Sequence, residues 1–334
     1  MKKLLKQLTE TFGPSGYEDE IRKLVQTELE PFADELKVDA LGNLIARKKP
    51  VQPAKNTKKI MIAAHMDEIG LMVSHVDENG FVRFSPIGGV FGKYVHGGRV
   101  RFLNGVQGVI GYDRFDKVNE APALEKVFID VGATSRKDCP VKIGDVAAFD
   151  RPFVEMGNRF VAKSMDDRVG VLIAIETLRA LKTTPHDVYF VFTTQEEVGV
   201  RGAATSAYGI NPDIGIALDI TPAADTPEAA KMEMALGKGP CIKIKDAGAL
   251  SDPRLVQWMI RTAEKNKIPY QREVLLFGGT DASAIQRTRS GVPAGCISVA
   301  TRYVHSPSEM VDASDLQNTV RLLHALLRAP ITLE

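Results

Sequence analysis

Apolar positions recur along this chain in two periods, and the switches between them divide it into regions. Ile21, Leu24, Val25 and Leu29 follow helical spacing behind Ser15 and Glu18, a capping-box pattern that predicts a helix over 16–31 with Ser15 as its N-cap. A Gly42-Asn43 turn separates short β-prone pieces within 36–46, and KIMIAA (59–64) is the unbroken apolar run expected of a buried strand. From 68 to 159 the texture changes. Runs at 71–76, 81–84, 99–102 and 107–110 are punctuated by Asn79-Gly80 and Asn104-Gly105, both strong hairpin signals. Helix and strand patterns then alternate: helix 167–181, strand 188–193, helix 202–208, strand 214–220, helix 252–266, strand 272–277, helix 280–288, strand 294–299 and a terminal helix near 314–328. The predicted fold class is α/β, a sheet flanked by helices and built from both ends of the chain (1–67 plus 160–334), with an inserted β-rich domain over 68–159.

Composition narrows the partners. The chain has 334 residues, 44% of them hydrophobic, with 43 Lys and Arg against 42 Asp and Glu, a net charge of +1. No basic excess points to nucleic acid, and no apolar run reaches the length of a secretory segment or a membrane span. A cytoplasmic protein with no nucleic-acid and no membrane partner is expected. Cys139, Cys241 and Cys296 are odd in number and widely spaced. They predict buried apolar fillers, not disulfides or a thiolate zinc site.

The chemistry-bearing residues sit where strands of the α/β region end, the place where ligands gather in open α/β folds. Nucleophile-elbow, phosphate-loop and H-E-x-x-H motifs are missing from the sequence. His65-Met66-Asp67 follows KIMIAA, and residues two apart on an extended chain share a side, so Asp67 can orient His65 toward a metal. His75-Val76-Asp77 has the same form but adjoins a turn, and is assigned a structural role. Asp166-Asp167 precedes a helix, with Asp167 expected as its cap. After VYFVFTT come Glu196 and Glu197, one suited to bind a metal while the other moves protons. Asp219 lies in the apolar run IGIALDI and needs a cationic partner, while His305 is either a loop residue or a ligand. Together His65, Asp166, Glu197, Asp219 and His305 suit zinc or a similar ion. Two divalent ions balance three carboxylates and a hydroxide better than one does.

AHMDEIG (64–70), SMDDRVG (164–170), TTQEEVGVRGA (193–203), ALDIT (217–221), FGGTDA (277–282) and YVHSPSE (303–309) resemble the signatures of the M42 family of co-catalytic metal aminopeptidases. The likeness runs over essentially the whole chain. It implies a zinc-peptidase-like mixed sheet with two divalent ions per subunit, zinc first, cobalt or manganese as alternatives. Asp166 bridges the ions, His65 and Asp219 complete one site, and Glu197 and His305 the other. Glu196 becomes the general base and Asp67 the orienter of His65. A water shared by the ions loses its proton to Glu196, and the hydroxide attacks the first peptide carbonyl. The likeness further implies that 68–159 is a β-barrel-like dimerisation domain, that dimers build a homo-oligomeric dodecamer, and that Gly278, Gly279, Thr280 and Asp281 lie beside the peptide substrate. On the residues alone, that last loop is a tight turn plus helix cap.

Two other readings stay open at this level. One is a two-metal carboxypeptidase or N-deacylase of the same superfamily; the other is a non-catalytic oligomeric scaffold. An endoglucanase fits poorly, since glycosidases generally use two flanking carboxyls without a metal. Neither the preferred N-terminal residue nor a role for His96 follows from the pattern.

Overall fold

The structure is a computed structural model in which residues 1–52, 56–113, 122–331 and 333 are described. An eight-stranded mixed sheet forms its centre, in the spatial order Glu35–Val38, Leu44–Lys48, Asp187–Thr193, Lys59–His65, Ile214–Pro222, Ala294–Thr301, Cys241–Lys245 and Gln271–Val274. The four strands from Asp187–Thr193 to Ala294–Thr301 run parallel. Their carboxyl ends therefore open on one edge of the sheet, where His65 is paired with Thr193 and Asp219 with Ser298.

Burial on both faces explains why the central strands read as continuous apolar runs. One face carries the helices Lys2–Glu10, Asp19–Leu29, Met165–Ala180, Pro253–Lys265 and Ala313–Arg328 over the main core. The other carries Arg201–Ile210 and Asp281–Gln286 over a smaller cluster around Met61, Ala203 and Ile285. Met165–Ala180 is apolar nearly all round because it is enclosed on nearly every side.

A closed six-stranded barrel is formed by Gly70–Val76, Val82–Ile87, Val127–Asp130, Gln107–Tyr112, Arg99–Phe102 and Val146–Phe149, in that order around it. Leu71, Val82, Val100, Phe102 and Ile129 fill it. Both glycine turns form: Gly80 and Gly105 take φ of 89° and 88°. The Asp77 carboxylate accepts the N–H groups of Asn79 and Phe81, so Asp77 does serve the turn, while the exposed His75 ring lies 3.4 Å from Arg136. His96 ends the short helix Gly92–Val95 and meets Tyr112 edge to face.

A three-stranded antiparallel sheet, Val154–Met156, Arg159–Ala162 and Glu309–Asp312, ties two distant parts of the chain together, with Ala162 opposite Glu309. This pairing brings the turn before Asp166 to the turn after His305.

Several expectations need correction. Ser15 is not a helix cap: the helix starts at Asp19, and the Ser15 hydroxyl donates to Asp67 at 2.6 Å, because a buried carboxylate outcompetes the helix end for it. The helix Lys2–Glu10 escaped the pattern reading, although Leu4, Leu5 and Leu8 give it an apolar stripe. The strand expected over 272–277 ends at Val274, leaving Leu276 and Phe277 exposed. Cys241 and Cys296 are buried, but Cys139 is only partly so. Among the described residues, no helix is long and apolar enough to cross a membrane.

Candidate active site

His65 ends a central strand with its ring 1% exposed. Its Nδ1 lies 3.1 Å from the backbone oxygen of Asp67, and since a carbonyl only accepts, the proton belongs on Nδ1. Nε2 is thereby left to face the cluster, 3.0 Å from Asp166 Oδ1, and the proton shared there is the one a bound metal ion would displace. His305 repeats the device: Nδ1 donates to the Gly89 carbonyl at 2.9 Å, and Nε2 faces Asp166 Oδ2 at 3.3 Å and Glu197 Oε2 at 3.5 Å. Gly89 permits this approach, because a Cβ there would lie 2.3 Å from the His305 Nδ1.

Asp166 thus turns one oxygen toward each imidazole. It stands at the head of the helix Met165–Ala180, where the backbone of Asp166 and Asp167 is still non-helical and the peptide between them is cis. Asp167 accepts the Gly170 N–H at 3.0 Å and so caps the regular helix, as expected of it. The Asp166 N–H is taken by Glu309 Oε2 at 3.0 Å, while Glu309 Oε1 takes the His305 N–H at 2.7 Å.

Glu196 and Glu197 follow the strand Asp187–Thr193 on a turn whose first residue, Gln195, has φ of 56°. Asp67 holds this turn: Oδ1 accepts the Glu196 N–H at 3.0 Å and Oδ2 the Glu197 N–H at 3.1 Å. Glu18 supports it from the other side by accepting the Gln195 N–H. Donor atoms of His65, Asp166 and Glu197 all lie within 4.8 Å of one another. Glu196 Oε2 is 4.0 Å from His65 Nε2, and Asp219 opens on the same cleft from the neighbouring parallel strand.

Charge is concentrated here. Burial, reinforced by the charge of Asp166, pushes the Asp219 carboxyl well above its ordinary range. Burial likewise raises Glu196, against the pull of His65, and lifts Glu197 to about 7. Burial acts against a charged imidazole at both histidines, yet their hydrogen bonds to Asp166 raise them, His305 to about 10. Asp166 is held low by the two rings in spite of its burial. Four carboxyl groups buried around two imidazoles resist ionising together, the condition that a bound cation relieves. The donors are imidazole nitrogens and carboxylate oxygens with no thiolate, and Nε2 of both rings is already aimed inward. This set fits divalent metal ions of the zinc type.

The five proposed ligands and Glu196 therefore converge, all but His65 lining a cleft of about 800 Å³. Gly278 and Gly279 line it too. Thr280 caps the helix Asp281–Gln286 through the Ala282 N–H, and the buried Asp281 accepts the Thr193 hydroxyl at 2.6 Å. No pattern marks Glu309 or Gly89, while Ser15 and Glu18, which read as a capping box, instead hold Asp67 and the Gln195 turn. Glu309 closes the motif YVHSPSE, yet no spacing rule joins it to Asp166, 143 residues away.

Comparison with known proteins places this geometry in context. The family model described as M42 glutamyl aminopeptidase matches residues 42–322. An aminopeptidase of the archaeon Desulfurococcus kamchatkensis shares 44% identity and a TM-score of 0.93, over 98% of this chain and 94% of that one. The TET1 peptidase of Pyrococcus horikoshii, which can assemble into a tetrahedron or a large octahedral shell, shares 34% and 0.87 over 98% and 99%. The lysyl aminopeptidase of Pyrococcus furiosus is 38% identical over 97% of this chain and 96% of its own. With the match spanning both the histidine–carboxylate cluster and the barrel, this chain is a metallo-aminopeptidase of the M42 glutamyl aminopeptidase family.

Proposed function

We propose that the enzyme removes the N-terminal residue from peptides using two divalent ions, zinc first among them, bridged by Asp166. His65 and Asp219 would complete one ion's ligands, Glu197 and His305 the other's. The observation that carries this reading is the division of the Asp166 carboxylate, one oxygen toward each imidazole Nε2 at 3.0 and 3.3 Å. Ions held there would acidify a shared water and polarise the scissile carbonyl.

The chain's own groups do the remaining work. Asp67 keeps the His65 ring and the Glu196–Glu197 turn in place. Glu196, whose proton affinity burial raises, takes the proton of the attacking water and passes it to the leaving amine. The Gly278–Gly279 backbone lines the same cleft and would hold the peptide there.

In this reading 1–67 with 160–334 is the catalytic domain and 68–159 the dimerisation domain, with dimers building a dodecamer. Assembly of the P. horikoshii relative supports that extension. Light scattering on the purified protein measures the particle mass. The test of function is hydrolysis by the full chain of free, N-acetylated and C-terminally blocked peptides, with metal content determined on the same sample. Cleavage restricted to free N-termini, lost with chelation and regained with about two zinc equivalents, is expected. Turnover of the N-acetylated peptide, or full activity in a metal-free sample, rejects the proposal.

A further inference from the structure

The wall of the cleft away from the carboxylates is unusual for a protein surface. Phe91, Phe277 and Tyr303 are 49%, 51% and 46% exposed, yet all three face the same cleft, with the buried Ile220 and Leu275 between strand ends and loop. Scattered exposed apolar residues need no explanation. Three large ones around one cavity mark a surface built to be covered. Phe91 also stacks on His305, so this wall is continuous with the proposed ligand cluster.

Charged groups around the wall are already engaged or face solvent. The Arg302 guanidinium is held by both oxygens of Asp225, at 2.7 and 2.9 Å. The cleft's own carboxylates, Asp166, Glu196, Glu197 and Asp219, all belong to the proposed ligand and base group. That leaves Lys93, an exposed side chain whose ammonium sits 4.6 Å from the centre of the Tyr94 ring and 5.9 Å from that of Phe91. Among the described residues it has no carboxylate partner.

From this wall we infer that the enzyme selects a large apolar N-terminal residue, leucine-, methionine- or phenylalanine-like, and that Lys93 acts as a specificity residue that turns away lysine and arginine. The inference rests on the aminopeptidase reading and adds the substrate class. A cationic side chain would find, among the described residues, no free carboxylate on this wall and would meet Lys93 head-on, an arrangement that discriminates by repulsion as much as by fit. An acidic side chain would find only a hydrated ammonium already resting on two rings, a weak return for losing its own water. An apolar side chain covers the aromatic wall and leaves no polar group unpaired.

The test uses the zinc-loaded full-length enzyme with leucine, phenylalanine, glutamate and lysine p-nitroanilides. Expected kcat/KM values for leucine and phenylalanine exceed those for lysine and glutamate by roughly tenfold or more. Lys93→Glu should raise the lysine-to-leucine ratio of kcat/KM by about tenfold, and an unchanged ratio removes Lys93 from the specificity role. Thermal melting with free amino acids supplies a readout independent of turnover, since leucine and phenylalanine should raise the melting temperature more than lysine or glutamate. A best rate with lysine or glutamate overturns this inference and leaves the aminopeptidase reading intact. Hydrolysis of none of the four overturns both.

Discussion

Glu309 accepts the backbone N–H of His305 at 2.7 Å, and its second oxygen accepts that of Asp166 at 3.0 Å. One buried side chain thereby fixes two proposed ligands that lie 139 residues apart in sequence, and it is not itself part of the cleft lining. The proposed centre depends on such supports. Asp67, Gly89 and Glu309 each constrain a donor that would otherwise sit on a turn free to adjust.

Removing that support should be costly. Glu309→Ala leaves the buried Asp166 N–H and the partly buried His305 N–H unpaired, the first at a cost of about 1–3 kcal/mol. It should weaken zinc affinity by roughly 10–100-fold, as loss of an outer support to a metal ligand generally does. Equilibrium dialysis against graded zinc, with circular dichroism to verify folding, measures this, and unchanged affinity would remove Glu309 from the supporting role.

Glu196→Gln separates proton transfer from ion binding. The substitution keeps shape and the backbone N–H that Asp67 accepts, so bound zinc should stay within error of the parent. Turnover should fall by about 10²–10⁴-fold, the range that a positioned acid–base group contributes. Near-parental kcat in the variant would exclude Glu196 as the base.

Gly89→Ala probes the approach of His305 to the backbone. A methyl group at this position would lie 2.3 Å from the ring nitrogen, so the imidazole must leave its place over Asp166. Activity should drop by roughly tenfold or more as the ring loses the carbonyl that sets its tautomer. A crystal structure of the variant with the His305 ring unmoved would contradict the argument.

His186 offers a pH effect remote from the cluster. Its Nε2 donates to the Ala329 carbonyl at 2.8 Å, while Nδ1 is buried and has no partner among the described residues. Burial lowers its pKa below the ordinary 6.5. Protonation would create a second N–H with no acceptor among the described residues. Between the lowered folded value and 6.5 the unfolded chain binds more protons, so this group's contribution is complete above 6.5 and is lost as pH falls below it. Urea midpoints at pH 7.5 and 5.5 should differ less in His186→Gln than in the parent. Equal slopes would show that His186 does not titrate with folding.

Much of the architecture was legible in advance because burial writes itself into period. KIMIAA, VYFVFT and IGIALDI are strands enclosed on both faces, and Asn79-Gly80 and Asn104-Gly105 sit where hairpins must turn. Ser15 was misassigned because a serine before a helix and a serine beside a buried carboxylate look alike in one dimension. Glu309 and Gly89 were not legible at all, since Glu309 reaches Asp166 across 143 residues and Gly89 reaches His305 across 216.

The residue types and their places at strand ends thus determined which side chains could share a centre, and the family motifs named them. Only the tertiary structure decided how they face one another: which ring nitrogen carries the proton, which Asp166 oxygen meets which histidine, and which aromatic side chains the cleft leaves uncovered. Local pattern reports burial and backbone propensity, which are properties of neighbours in sequence. Donor geometry is set by parallel strand register and by the pairing of Arg159–Ala162 with Glu309–Asp312, contacts between segments whose sequences carry no mark of each other.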